Sequence, residues 1–129
     1  MLNKISPFLM FEGRAEEAIN LYISLFENSS IDSLVRRGPG DFEGKILHAA
    51  FTLNGQSYMA SDSDIKHDFT FTPSTSFFVN CESEEEIDRL YAELSKDGGV
   101  LMPLDNYGFG KKFAWINDRF GVSWQISLP

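Results

Sequence analysis

"NDRFGVSWQIS", residues 117 to 127, reads as a turn from Asp118 to Gly121 that feeds a short final strand. Side chains alternate along a strand, so Val122, Trp124 and Ile126 share one face and Ser123, Gln125 and Ser127 the other. The apolar set belongs to a core, and the open question is what Gln125 faces. A second glycine turn before a strand occurs at "NGQSYMASD", residues 54 to 62. A shift of 66 residues places Gly55 on Gly121 and Tyr58 on Trp124.

Two segments carry helical periodicity. In "RAEEAINLYISLFENS", residues 14 to 29, Ala15, Ala18, Tyr22 and Leu25 recur at spacings of three and four, with Leu21 and Phe26 beside them. In "SEEEIDRLYAELSKDGG", residues 83 to 99, the stripe is Ile87, Leu90, Tyr91 and Leu94. Ser83 and Glu86 predict a capping box at the start of this helix. Gly98 or Gly99 is expected to end it in a left-handed cap. A shift of 69 places Phe8 on Phe77, Glu17 on Glu86, Tyr22 on Tyr91 and Leu25 on Leu94.

Each helix follows a short strand, "ISPFLMF" or "STSFFVNC". Each precedes three extended runs: "SIDSLVRR", "KILHAAFTL" and "QSYMASD" in one case, "VLMPL", "KKFAWIN" and "VSWQIS" in the other. Strand, helix and final hairpin agree in the same order, which marks an internal duplication of a β-α-β-β-β unit. The expected modules are residues 1–62 and 74–129, joined by a polar linker at 63–73.

The chain has 129 residues, of which 43% are hydrophobic, including 12 Phe, so it can build a core without metal or disulfide support. Its formal net charge of −8 repels phosphate backbones and disfavours nucleic acid as a partner. One cysteine, Cys81, forms no intramolecular disulfide, which fits a reducing, cytoplasmic location. No apolar run approaches the ~20 residues of a membrane span, and Pro7, Glu12 and Arg14 interrupt any leader-like apolar stretch.

The motifs "PFLMFEGRAEEAINLYISLF", "EGKILHAAFTLNGQSYMASD", "SFFVNCESEEEID" and "NDRFGVSWQISLP" cover nearly the whole chain. With them the doubled unit resembles the vicinal oxygen chelate superfamily, and within it the PhnB-like, demethylubiquinone methyltransferase-like branch. The resemblance implies an α+β glyoxalase/bleomycin-resistance fold: two tandem βαβββ modules forming half-barrels around a cavity. In metal-using members, four inward side chains from the first and last strand of each module hold one divalent ion.

Carried over by spacing, those positions are Pro7 and Met59 in the first module and Ser76 and Gln125 in the second. Proline offers no side-chain donor, methionine a soft thioether and serine a weak neutral oxygen, so no metal and no cofactor is expected. Gln125 is instead expected to face the cavity as a hydrogen-bonding amide. His48 is expected on that face too, opposite Leu47, Phe51 and Leu53, as a base, a ligand contact or a structural histidine.

The remaining candidates read more plainly. Glu82, Glu84, Glu85 and Glu86 surround Cys81 and oppose a thiolate, so an inert thiol is expected. Glu84 to Glu86 complement a helix dipole. His67 falls in the polar linker and is expected to be solvated. "DNYGFGKKF", residues 105 to 113, is no nucleotide loop; Tyr107 and Phe109 could cover a cavity mouth or belong to an ordinary turn. The chain therefore reads as a small-molecule-binding protein and a homodimer, with no catalytic residue assigned. The alternatives are a metal-dependent lyase, isomerase or dioxygenase of the same superfamily, or a drug-sequestering resistance protein. A methyltransferase lacks sequence support, because there is no glycine-rich nucleotide loop after a strand.

Overall fold

The structure, a computed structural model, describes residues 4–129. The first three residues of the expected first module lie outside the described residues. The elements run β1 (Phe8–Phe11), α1 (Ala15–Leu25), β2 (Ser30–Arg36), β3 (Ile46–Leu53), β4 (Gln56–Asp62), β5 (Phe77–Asn80), α2 (Glu84–Ser95), β6 (Gly99–Asp105), β7 (Lys112–Asn117) and β8 (Ser123–Leu128). They form two four-stranded sheets ordered β1-β4-β3-β2 and β5-β8-β7-β6. In each sheet the first strand pairs in parallel with the last, and the other pairs are antiparallel. This is the duplicated βαβββ unit; each sheet is open, and neither closes into a barrel. The chain divides into two compact units, Met1–Asp68 and Phe69–Pro129.

Each helix covers one face of its own sheet. Ala15, Ala18, Ile19, Tyr22 and Leu25 of α1 are buried, as are Ile87, Leu90 and Leu94 of α2. Fully burying one such aliphatic side chain contributes roughly 1.5–3 kcal/mol. A surface ion pair adds only ~0.2–1 kcal/mol, so the apolar stripes set how the helices sit. Ile19, outside the expected stripe, widens the buried face of α1, while Phe26 has already left the helix as its C-cap.

The two helix starts are satisfied by different chemistry. Arg14, the N-cap of α1, makes no side-chain cap. A carboxylate from the end of β4 reaches in: Asp62 Oδ1 accepts from the N–H groups of Gly13 (2.8 Å) and Ala15 (2.9 Å), and Oδ2 from Ile46 (3.0 Å). Nothing local marked Asp62, because its partners lie 16 to 49 residues away. At α2 the Ser83 hydroxyl accepts from Glu86 N–H (3.1 Å), as the capping box requires. The Glu86 carboxylate reaches one residue further back than expected, to the N–H of Glu82 (2.7 Å).

Three further expectations are corrected. The left-handed residue after α2 is Asp97 (φ 57°), not a glycine. Gly98 is required for another reason: a Cβ there would run into the Asn117 carbonyl oxygen. Leu47 does not join the core face. The β2–β3 register slips between Val35 and Arg36, so Ile46 and Ala49 are buried and Leu47 is 47% exposed. His67 is half-buried, and its Nε2 hydrogen-bonds the Ser63 hydroxyl at 2.8 Å.

The closing turn explains its own sequence. Asp118 Oδ1 accepts from the N–H groups of Phe120 (2.8 Å) and Val122 (3.0 Å), while Oδ2 accepts from the Trp124 indole (2.9 Å). Gly121 supplies the left-handed residue (φ 90°). Trp124 is 1% exposed on the helix side, edge-on to Phe77. Asp118 therefore fixes both the turn and the largest core side chain.

Candidate ligand-binding site

The face of each sheet turned away from its helix carries the candidate residues. In the first module Met59 lies in register with Phe8 on one side and Ala50 on the other. Adjacent partners in a ladder share a face, so Phe8 and Met59 stand together on the open face, as alternation also places His48. The Phe8 and His48 rings lie 6.5 Å apart.

Pro7 is one residue out of this row. Its carbonyl accepts from Met59 N–H at 2.9 Å, while Phe8 is the residue opposite Met59. In the second module Phe78 lies opposite Gln125. The first strands therefore correspond at a shift of 70, whereas the helices correspond at 69. The strand-to-helix connection of the first module is one residue longer, which is why spacing from Tyr22 selected Pro7. The structural counterpart of Ser76 is Ser6, whose hydroxyl hydrogen-bonds that of Ser57 at 2.8 Å.

In the second module Gln125 lies in a row with Phe78 and Trp115. Its Nε2 donates to the Ser76 hydroxyl at 2.7 Å, and the residue is half-buried. One N–H and the carbonyl oxygen of the amide remain for another partner. The Trp115 indole donates to the Ser123 hydroxyl at 2.9 Å.

Beside this row stands an aromatic cluster. Phe113 is buried beneath Tyr107 and Phe109, with ring centroids at 6.1 and 5.0 Å, and Phe78 lies 6.4 Å away. The Tyr107 hydroxyl donates to the Pro103 carbonyl at 2.6 Å, which anchors the 105–112 loop. Tyr107 and Phe109 stand out in the sequence by their flanking glycines, whereas Phe78, Phe113 and Trp115 carry no such local mark. Strand parity carried from Gln125 across "KKFAWIN" and "STSFFVNC" was the available signal.

The donors on these faces do not fit a divalent cation. Gln125 and Ser76 are neutral and bonded to each other, and Phe8 and Met59 offer a ring and a thioether. Among the described residues no group of three or more His, Cys, Asp or Glu is placed to hold a metal ion. Cys81 lies away from this face and is buried; burial, with Glu86 nearby, pushes its thiol up to about 11. A cleft of about 220 Å³ opens at the start of α1, between Glu16, Glu43, Lys45 and Asp62. The helix amides there are already taken by Asp62.

Two tandem βαβββ modules with these open faces define the vicinal oxygen chelate fold. Residues 3–127 match the family described as 3-demethylubiquinone-9 3-methyltransferase, and the chain belongs to that PhnB-like family. A solved structure from Bacillus cereus, titled a putative 3-demethylubiquinone-9 3-methyltransferase and PhnB protein, is 56% identical, with 98% of this chain and 100% of that one covered and a TM-score of 0.94. The protein PA1353 from Pseudomonas aeruginosa is 28% identical over 98% of this chain and 97% of its own, with a TM-score of 0.84. The fosfomycin resistance protein FosX of Listeria monocytogenes, solved with Mn(II) and a dihydroxypropylphosphonic acid, shares the fold at 12% identity. That alignment covers 98% of this chain and 93% of FosX, with a TM-score of 0.63. Among the described residues no helix is long and apolar enough to cross a membrane.

Proposed function

We propose that this protein binds a small organic molecule on the open faces of its sheets without a resident metal ion. The observation that carries this reading is the placement of Gln125. Its amide is held by Ser76 on the open face beside Phe78, while the adjacent Trp124 is locked into the core by Asp118. Each open face offers its own contact residues: Gln125 and Ser76 in the second module, and Met59 and His48 in the first, with Ser6 and Phe8 at the place that spacing assigns to Pro7. Buried polar groups in binding sites fix orientation, and apolar rings supply contact area. That division matches the furnishing of these faces.

Two tests bear on it. Metal analysis of purified protein is expected to find less than one divalent ion per chain; a stoichiometric ion that survives dialysis would contradict the reading. A thermal-shift screen of small organic molecules is expected to give hits that Gln125→Ala abolishes.

The family description names methyl transfer. The mixed sheets here differ from the doubly wound parallel sheet that seats nucleotide cofactors beyond its strand ends. We therefore propose no S-adenosylmethionine site, and saturable binding at low micromolar ligand in a calorimetric titration would overturn this. A cytoplasmic homodimer completes the proposal: each open sheet leaves edge strands that association would cover. Light scattering giving a monomer mass at micromolar concentration would count against the dimer.

A further inference from the structure

The charges on the strands limit what the open faces can take. Across the eight strands of the described residues, Arg36 and Lys112 are the only Lys or Arg side chains. Both turn to the helix side, where Arg36 pairs with Glu16 of α1 at 2.6 Å and Lys112 with Asp88 of α2 at 3.0 Å. The strands themselves therefore put no Lys or Arg side chain on either open face, and the exposed Lys111 immediately precedes β7. An anion placed there would lose its hydration and gain no countercharge from the strands.

The second module's open face carries the opposite provision. Phe78 is 55% exposed and Phe109 59%, and Tyr107 stacks on Phe109 at 6.1 Å. Asp105 is the register partner of Phe113, and its Oδ1 accepts from the Asn106 N–H at 2.7 Å where the aromatic loop begins. Aromatic faces attract cations through the ring quadrupole. The chain's net charge of −8 raises the local concentration of cations around the whole surface.

From this placement we infer that the ligand is a planar aromatic cation, stacked on Phe78 and Phe109 with its charge toward Asp105 and its polar edge on Gln125. This rests on the small-molecule reading and names the ligand class for it. The rings supply stacking area, the carboxylate supplies the countercharge, and the free N–H and carbonyl of Gln125 fix the in-plane orientation. An anionic ligand would meet the Asp105 carboxylate instead.

The test is a calorimetric titration of the full chain at pH 8 with three probes of similar size: N-methylquinolinium, neutral quinoline and anionic 2-naphthoate. The cation is expected to bind at least about fivefold more tightly than quinoline, and 2-naphthoate not to saturate. Phe109→Leu keeps an apolar side chain on an exposed loop without the ring, and Asp105→Asn removes the charge. Each should reduce the preference for the cation while circular dichroism stays unchanged. Phe78→Leu should do the same; if it does not fold, the two loop-side variants still decide the matter. Binding of 2-naphthoate or quinoline as tight as that of the cation, or a preference unchanged in both loop-side variants, would overturn the inference. If a neutral or anionic probe binds tightly and loses affinity in Gln125→Ala, only the ligand class fails. If none of the three binds, the inference fails, and the small-molecule reading is judged by the thermal-shift screen.

Discussion

The two modules share a topology and differ in how they use it. Both place the first strand parallel to the last and lay one helix on the sheet. On the helix side the positions correspond closely: Ala18 with Ile87, Leu25 with Leu94, Tyr58 with Trp124. On the open side only the first strands correspond, Ser6 with Ser76 and Phe8 with Phe78. Elsewhere the first module sets Met59 and His48, and the second Gln125 beside a cluster of rings. The core is held by packing, which tolerates little change in volume. The open face carries no such constraint, so ligand chemistry can diverge there without loss of the fold.

The largest effect should come from the second module's core. Trp124→Ala removes the largest buried side chain and leaves the Asp118 carboxylate without its indole donor. A loss of ~3–5 kcal/mol is expected in urea unfolding. A smaller loss than that of Ser83→Ala would remove the claim that Asp118 and Trp124 form one unit.

The two helix starts should also differ in what their caps contribute. Asp62→Ala strips the acceptor from three backbone N–H groups, and roughly 1–3 kcal/mol per group, partly recovered by water, gives about 2–4 kcal/mol. Ser83→Ala removes a single local cap and should cost about 1 kcal/mol. Equal losses would mean that the buried carboxylate is no more than an ordinary cap.

Much of this was legible in the sequence because it is periodic. β4 coincides with "QSYMASD", and both helices follow their stripes. The parity of Trp124 and Gln125 followed from alternation alone. What escaped was non-local. Asp62 caps a helix that begins 47 residues earlier in the chain, and no spacing rule reaches that far. Counting back from Tyr22 selects Pro7, but one extra residue between the first strand and its helix moves the register. Leu47 was placed by strict alternation, which the slip at Val35 breaks.

Cys81 gives a pH-dependent effect confined to one module. Its thiol is raised from an ordinary 9.0 to about 11 in the folded chain. The unfolded chain releases this proton first, so stability should fall as pH rises from 9.0 toward 11, and Cys81→Ser should remove that part of the slope. At pH 9 the native thiol should react with a disulfide reagent about fifty-fold more slowly than free cysteine. A rate equal to that of the denatured protein would show an accessible thiolate instead.

The smallest stability change should fall on the residue that matters most for binding. Gln125→Ala is to be measured twice on the same preparation, by urea unfolding and by titration with N-methylquinolinium. The expected result is a stability change of about 1 kcal/mol or less, with affinity reduced on the order of tenfold, because an amide that orients a ligand is lost while the core behind it is untouched. A stability loss as large as that of Trp124→Ala with affinity unchanged would contradict it, and would make Gln125 a part of the scaffold.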